Sequence, residues 1–577
     1  MTLSAALTTL ETSGLIRATQ AEAELEYLFR HALIQDAAYE SLLKADRKAL
    51  HLVIAETLER QYPEQLTELA STLAHHFARA EATPRARHYF ALAGEAALSN
   101  YANAEAERHY HAALDLTESE ADRAQRLSGL GEALLRQSKF ENADHVWREA
   151  ITAYQSLGDY AGVARMYARA ARTAGTAHAE DKPRALALCR EGLTVVDGQP
   201  ESPALAALLH ETGRACFFNG LLDEARSFCQ QALTLAEKLE DAETQAETLA
   251  TLWGLLPVPS PQAAIEGLQR AAELAEAVGR LDTAARIYHN VGFRLGLEHG
   301  ELRLGQRHIQ HALTLLRQIG DEAGQFYTFD VAILLAFLLG DFDEVATISK
   351  KMTALLPSAG NRALGVTTLS GWEAWRLRCH GELGVARAAF QTALIGFRQH
   401  QAFDTLANMS CTFAEMLLEL NDLALAENVL QEVLELVERG FMEPVEPHSL
   451  LVAVYARQGR MEAAHQALAK AQQEVGASPG VFSALLLAQA EARLAVAERQ
   501  WSTAFTAFET ARAHAAQHGI RWQHAQTLHE WAEAHLARNE PGDVDRAREL
   551  LHESLALFEE MNVPKYAALV GDRIQSL

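Results

Sequence analysis

The chain is poor in the features that mark several protein classes. Over 577 residues it has only 14 prolines, with 49% hydrophobic residues and no break in composition where a flexible linker would sit, so one long continuous architecture is implied. Its five cysteines, Cys189, Cys216, Cys229, Cys379 and Cys411, include no pair at two-residue spacing, which argues against a zinc site or a disulfide framework and fits a reducing compartment. They read as small buried hydrophobes. Basic residues are scarce, 51 against 76 acidic for a formal charge of −25, so the long-range field repels phosphate backbones and nucleic acid is not an expected partner. No "GK" dipeptide occurs, which excludes a Walker A loop. No basic residue precedes Arg17, and the greasiest run, Val331 to Leu339, stops well short of the roughly 20 residues of a membrane span. A cytoplasmic protein without membrane association is expected.

What the chain does have is a period. In "GEALLRQSKFENADHVWREAI" from Gly131, "GRACFFNGLLDEARSFCQQAL" from Gly213 and "AEMLLELNDLALAENVLQEVL" from Ala414, a small residue is followed by alanine and then by a second small or aliphatic residue at matching distances. The first alanine position recurs at Ala106, Ala143, Ala185, Ala225, Ala264, Leu304, Val345, Ala386, Ala426, Ala464, Ala504 and Ala547. Short side chains are needed there because two helices joined by a tight turn approach closely only where little lies between them. Larger residues fill the space four positions on, as at Tyr110, Trp147, Leu268, Phe390, Leu430, Phe508 and Leu551. Turn signals fall between the helices in "LGDFDEVA", "RQGRMEAA" and "HGELGVA". Leu304, Val345 and His311 break the small-residue rule, so splayed middle units are expected, and "RNEPGD" inserts into the last turn.

The pattern resembles the tetratricopeptide repeat, lengthened from ~34 residues per unit by longer helices. The expected fold is therefore all-α: a right-handed superhelical solenoid of about twelve tetratricopeptide-like helix pairs over residues 63–577, with an irregular helical bundle as the alternative. Residues 1–62 read differently. A helical stretch ends at Gly14, a hairpin follows over Leu15 to His31 with polar residues at its tip, and two amphipathic helices come next, the second with Asp46 as candidate N-cap and Pro63 just past its end. Helix, hairpin, helix, helix outlines a winged-helix-like segment run into a linker helix. With "YLFRHALIQDAAYESLL" and "RKALHLVIAETLE", it resembles the junction in signal-transduction ATPases of the STAND class, where a nucleotide-binding module precedes a winged helix and a repeat sensor. The resemblance implies a nucleotide-binding module in cis or trans. The hairpin is acidic, which favours protein packing over DNA contact.

Catalysis finds little support. His308 and His311, and His514 and His518, lie one turn apart, but "HEWAEAH" sets His529 and His535 six apart, on different helix faces, where a zinc-protease helix needs four. Glycine pairs such as "GLTVVDG" lack the strand context of a dinucleotide loop, and no serine sits in a nucleophile elbow. No enzyme activity, metal or other cofactor is expected. The functional surface is instead the inner face that the first helices of such units line. The ladder places Ser128, Glu132, Leu334, Cys379 and Cys411 there, with His210, Arg214, Phe218, Trp253, His289, Phe293, Asp330, Trp375, Arg378 and Glu415 as candidates for binding a protein, a peptide or a small signal molecule. Packing of these aromatics between neighbouring units is the competing reading, and an adaptor that recognises partners along its edge or convex face is the alternative function.

Overall fold

The computed structural model describes residues 2–21, 24–137, 139–177, 182–256, 260–297, 299–358, 362–440, 442, 444–475 and 480–577. Among them are 29 α-helices and a single two-stranded hairpin. The chain divides into two compact units, Met1–Ala232 and Leu233–Leu577.

The first unit opens with α1 (Leu3–Thr12), β1 (Ile16–Ala21), β2 (Glu24–Phe29), α2 (Ala32–Glu40), α3 (Lys44–Gln61) and α4 (Ala70–Arg79). Helix pairs follow: α5 (Thr83–Ser99) with α6 (Asn103–Asp115), α7 (Glu120–Arg136) with α8 (Phe140–Leu157), α9 (Tyr160–Ala177) with α10 (Lys182–Val195), and α11 (Pro203–Phe218) with α12 (Leu222–Lys238), within which the boundary at Ala232 falls. The hairpin is antiparallel, Ile16 opposite Phe29, and the tip expected to be polar lies at residues 22–23, outside the described residues. Gly14 takes the left-handed conformation, φ 72°, that ends α1. One expectation is corrected here. Asp46 is not the N-cap of α3; Leu43 is, and Asp46 lies in the first turn, where its charge favours the helix N-terminus without capping it.

The second unit continues with α13 (Ala242–Gly254) and α14 (Pro261–Ala277), α15 (Leu281–Leu297) and α16 (Leu302–Gln318), α17 (Glu322–Leu339) and α18 (Phe342–Leu355), α19 (Arg362–Cys379) and α20 (Leu383–Gln399), and α21 (Phe403–Glu419) and α22 (Leu423–Glu438). Then come α23 (Val445–Arg457) and α24 (Met461–Val475), α25 (Val481–Ala497) and α26 (Trp501–His518), α27 (Arg521–Arg538) and α28 (Asp543–Glu560), and last α29 (Pro564–Gln575). The pairs from α5/α6 to α27/α28 make an all-α repeat fold. The glycines of the predicted turns do what they must: Gly340, Gly381 and Gly459 have φ of 70°, 76° and 76°. Asp341 then caps the following helix by accepting the Glu344 amide at 3.1 Å.

The ladder positions are where the helices touch. Ala106, Ala143, Ala225, Ala264, Ala386, Ala426, Ala464, Ala504 and Ala547 are all 0% exposed. Facing glycines admit the large partners: a Cβ on Gly131 would stand 2.6 Å from the Trp147 ring, and one on Gly213 would stand 2.5 Å from Cys229 Sγ. All five cysteines are buried free thiols.

The pair α15 and α16 is not splayed. Leu304 is only half-buried; the contact residue is its neighbour Gly305, whose added Cβ would fall 2.6 Å from the Gly292 carbonyl oxygen. The register of this pair is shifted by one, so the fully buried Ala312 replaces His311 at the second small position. With glycine on both sides, α15 and α16 meet backbone to backbone. The apolar helix α17 is the one described helix long and apolar enough to cross a membrane, and 67% of it is buried in the core of the second unit. The insertion before α28 is pinned by Asp543, which accepts from Arg538 Nη2 and lies 2.6 Å from His535 Nδ1. His535 is thereby a structural partner of a carboxylate.

Candidate functional site

Most of the ten predicted inner-face residues are buried or half-buried. In the first unit His210 is buried, 2% exposed, which corrects its expected place on an accessible face. Its neighbour Glu211 carries the electrostatics: it accepts from Arg172 Nε at 2.7 Å and from Arg214 Nε at 3.0 Å. Burial alone would raise this carboxyl, but the two guanidinium groups outweigh it and hold the pKa at about 2. Arg214 remains half-buried and also lies over the Phe218 ring at 5.5 Å, with Lys182 over the same ring at 5.4 Å. Arg214 and Phe218 thus form a cationic and aromatic patch, held in place by Glu211. Ser128 and Glu132 are tied to Tyr154 and Arg136.

In the second unit Trp253 packs on Gly267, and the "LLPVPSP" turn beside it falls partly on residues 257–259, outside the described residues. His289 Nδ1 lies 3.3 Å from the Thr328 hydroxyl, and burial lowers its pKa, so it is a neutral packed imidazole. Phe293 alone among the ten is exposed. Asp330 accepts the Trp372 indole N–H at 2.5 Å. Trp375 stacks on Phe337 at 4.3 Å and on Trp372 at 5.5 Å, so this tryptophan is packed between α17 and α19. Cys379 and Cys411 are fully enclosed and Leu334 is half-buried.

Arg378 corrects the expectation most sharply. At 1% exposure it donates from Nη1 to Glu415 Oε2 at 2.7 Å, and from Nε and Nη2 to Glu419 Oε1 at 3.1 and 2.6 Å. Burial opposes its charge and the two carboxylates restore it. A group this engaged is not free to recognise a ligand.

The second unit encloses these residues with its own last helices. Lys565 donates to the Gly381 carbonyl, Tyr566 donates to Glu419 Oε2 at 2.7 Å, and Gln526 reaches Glu419 Oε1 at 3.5 Å. Phe342 meets Trp522 edge to face at 6.1 Å. The helices α27 to α29 therefore lie against α17 to α21 within this unit, and part of the inner face is filled from inside.

Beside that closure two cavities adjoin. One, of about 540 Å³, lies among α23, α25, α26 and α27, with Val496, Phe508 and several alanines on its apolar side. The other, of about 320 Å³, reaches Tyr566, Lys565 and Phe558. Arg457, His529 and Glu530 line both. Arg493 grips Glu530 with two bonds of 2.9 Å, and Arg573 does the same for Glu533 at 2.6 and 2.9 Å. Arg457 donates to the Leu418 carbonyl at 2.7 Å. None of Arg457, Arg493, Glu530, Lys565 or Tyr566 was singled out from sequence, and His529 only as a metal ligand whose spacing fails. Their signal was available only in part, as charge pairs one repeat apart such as Arg493 and Glu530. Among the described residues no group of three or more histidine, cysteine, aspartate or glutamate side chains is placed to hold a metal ion.

Comparison with known proteins adds little beyond the fold. No protein-family model and no curated protein matches the sequence. Solved helical structures do match: aspartyl phosphate phosphatase F from Bacillus subtilis, 12% identical over 59% of this chain and 91% of its own, TM-score 0.40; and a chain of the APC/C heterotetramer Cut9–Hcn1, 15% identical over 85% of this chain and 96% of its own, TM-score 0.27.

Proposed function

We propose that the chain is a non-enzymatic helical-repeat scaffold that binds a protein, peptide or small signal molecule, and that it serves as the sensor region of a STAND-type cytoplasmic signalling protein whose nucleotide-binding module acts in cis or trans. Residues 1–62 are its winged-helix-like connection to that module. The carrying observation is the polar closure of the second unit, where Lys565 and Tyr566 meet Gly381 and Glu419 beside the cavities lined by Arg457. The polar part of this closure is a few hydrogen bonds involving charged groups, each a net contribution of about 1.5 to 3 kcal/mol, beside apolar contacts such as Phe342 with Trp522, so a ligand seated beside it can shift the balance between closed and open arrangements. The Arg214 and Phe218 patch of the first unit supplies a face for a protein or peptide partner.

The adaptor reading, with no signal ligand, is favoured by one observation: the Phe337, Trp372 and Trp375 stack fills the inner side of α17 and α19 with the chain's own rings. Hydrogen exchange of the purified chain, after a thermal-shift screen of peptides and small molecules, separates the two. A ligand that binds only the folded state raises Tm with its concentration. If it also slows exchange in α29, the sensor reading holds. A partner that binds while α29 exchange stays unchanged favours the adaptor and sinks the sensor.

A further inference from the structure

The charges around the two adjoining cavities are unevenly matched. Glu415 and Glu419 receive Arg378, Glu530 receives Arg493, and Glu533 receives Arg573. Two cations on the lining, Arg457 and Lys565, have no carboxylate within ion-pair distance among the described residues; each donates only to a backbone carbonyl, of Leu418 and Gly381 respectively. This occurs in a chain whose formal charge is −25. Arg457 is also exposed, so it remains approachable. Between the cavities the buried Nδ1 of His529 has no hydrogen-bond partner, and burial lowers the pKa of this histidine, so the imidazole is neutral and can donate or accept. Val496, Phe508, Ala453, Ala456 and Ala534 line the larger cavity with apolar groups.

A fork of guanidinium donors, an ammonium and an unsatisfied imidazole nitrogen beside an apolar wall describe one ligand class. We propose that the two cavities form a single site for a small organic oxyanion, its carboxylate or phosphate held by Arg457 and Lys565 and its apolar body against Phe508 and Val496. Arg457 suits either headgroup because its planar fork matches two oxygens at once. Glu530 and Glu533 do not repel the ligand outright, since each has a guanidinium partner of its own, while Glu419 shares Arg378 with Glu415 and also accepts from Tyr566. This site rests on the sensor reading only in that it assigns the ligand to the closed unit.

The test is calorimetric titration of the full chain with phenylacetate, phenyl phosphate, inorganic phosphate and the uncharged isostere phenylacetamide. Phenylacetate or phenyl phosphate is expected to bind at least about tenfold more tightly than phenylacetamide, and the tighter of the two identifies the headgroup. Inorganic phosphate, which leaves the apolar wall uncovered, should bind more weakly than phenyl phosphate. Arg457→Met should weaken the better probe about tenfold or more and Arg457→Lys less, with helicity by circular dichroism unchanged. Arg398→Met, which removes the surface pair with Glu432, should leave the affinity alone. Equal binding of the acid and the amide, or equal binding by Arg457→Met and the unsubstituted chain, overturns the proposal. Probe binding without any change in α29 exchange would uphold the site and sink the sensor reading, whereas a protein partner that slows α29 exchange while every probe fails would do the reverse.

Discussion

Tyr566 and Glu419 are hydrogen-bonded at 2.7 Å across 147 residues of chain. The tyrosine ring also stands edge-on to Trp522 at 5.0 Å, so packing aims the hydroxyl. Its acceptor is a carboxylate already bonded by Arg378, and burial together with the Glu419 charge pushes the phenol pKa far up, which keeps the donor proton in place. Tyr566→Phe keeps the ring and removes only the bond to a charged acceptor. The expected cost is about 1.5 to 2 kcal/mol by urea denaturation, with the largest rise in hydrogen exchange in α29. Faster exchange spread evenly over the second unit would contradict a localised closure.

Arg378 tests whether the buried charges are structural. Arg378→Met leaves Glu415 and Glu419 side by side without the one cation that bonds both, and removal of one partner from a buried network costs about 3 to 5 kcal/mol. The double variant Arg378→Met with Glu419→Gln relieves part of that repulsion and should recover stability. A cost below about 1 kcal/mol, as for an exposed pair, would show that the site is wetter than its geometry implies.

The glycine contact between α15 and α16 makes a prediction opposite in sign to helix propensity. On propensity alone Gly305→Ala should stabilise by up to about 1 kcal/mol. The added Cβ, however, would meet the Gly292 carbonyl oxygen at 2.6 Å, and backbone cannot step aside as a side chain can. The helices must separate, so a loss of about 2 kcal/mol or more is expected from overpacking. Gly384→Ala, on α20 with nothing within 4 Å of the new methyl, is the control and should stabilise. Thermal melts of the two variants should therefore move in opposite directions.

These cases show where sequence was informative and where it was not. The alanine ladder was legible because a helix crossing imposes the same size limit in every repeat, and Ala143, Ala386 and Ala547 obey it at 0% exposure. The slip from Leu304 to Gly305 came from carrying one ruler across a unit whose register is offset by a residue. Whether an aromatic or an arginine at a given ladder offset is accessible or packed away was not legible. Trp375 and Arg378 have the composition of a binding groove, and the same composition serves a packed interior. The contact of Lys565 with Gly381 spans 184 residues and has no local signature. It arises because small rotations between successive pairs accumulate until the last helices meet earlier ones.

Two carboxylates, the buried Glu211 and the half-buried Glu446, give the pH dependence opposite slopes. Burial, reinforced by the Glu415 charge, raises Glu446 to about 8, so the folded state holds a proton that the unfolded chain releases near its ordinary value of about 4.3. Stability from this group is greatest below that unfolded value and falls as pH rises towards 8, then levels off. Glu211 runs the other way. Despite its burial, Arg172 and Arg214 hold it at about 2, so its contribution is present at neutral pH and is lost as pH falls from about 4.3 towards 2. Melting curves between pH 3 and pH 9 should then show Glu446→Gln more stable than the parent at pH 8 with a flatter alkaline limb, and Glu211→Gln less stable at pH 7 with a flatter acid limb. An alkaline limb of unchanged slope in Glu446→Gln would mean that this carboxyl is ionised at neutral pH, and that the interior beside Glu415 carries one more negative charge than the buried geometry allows.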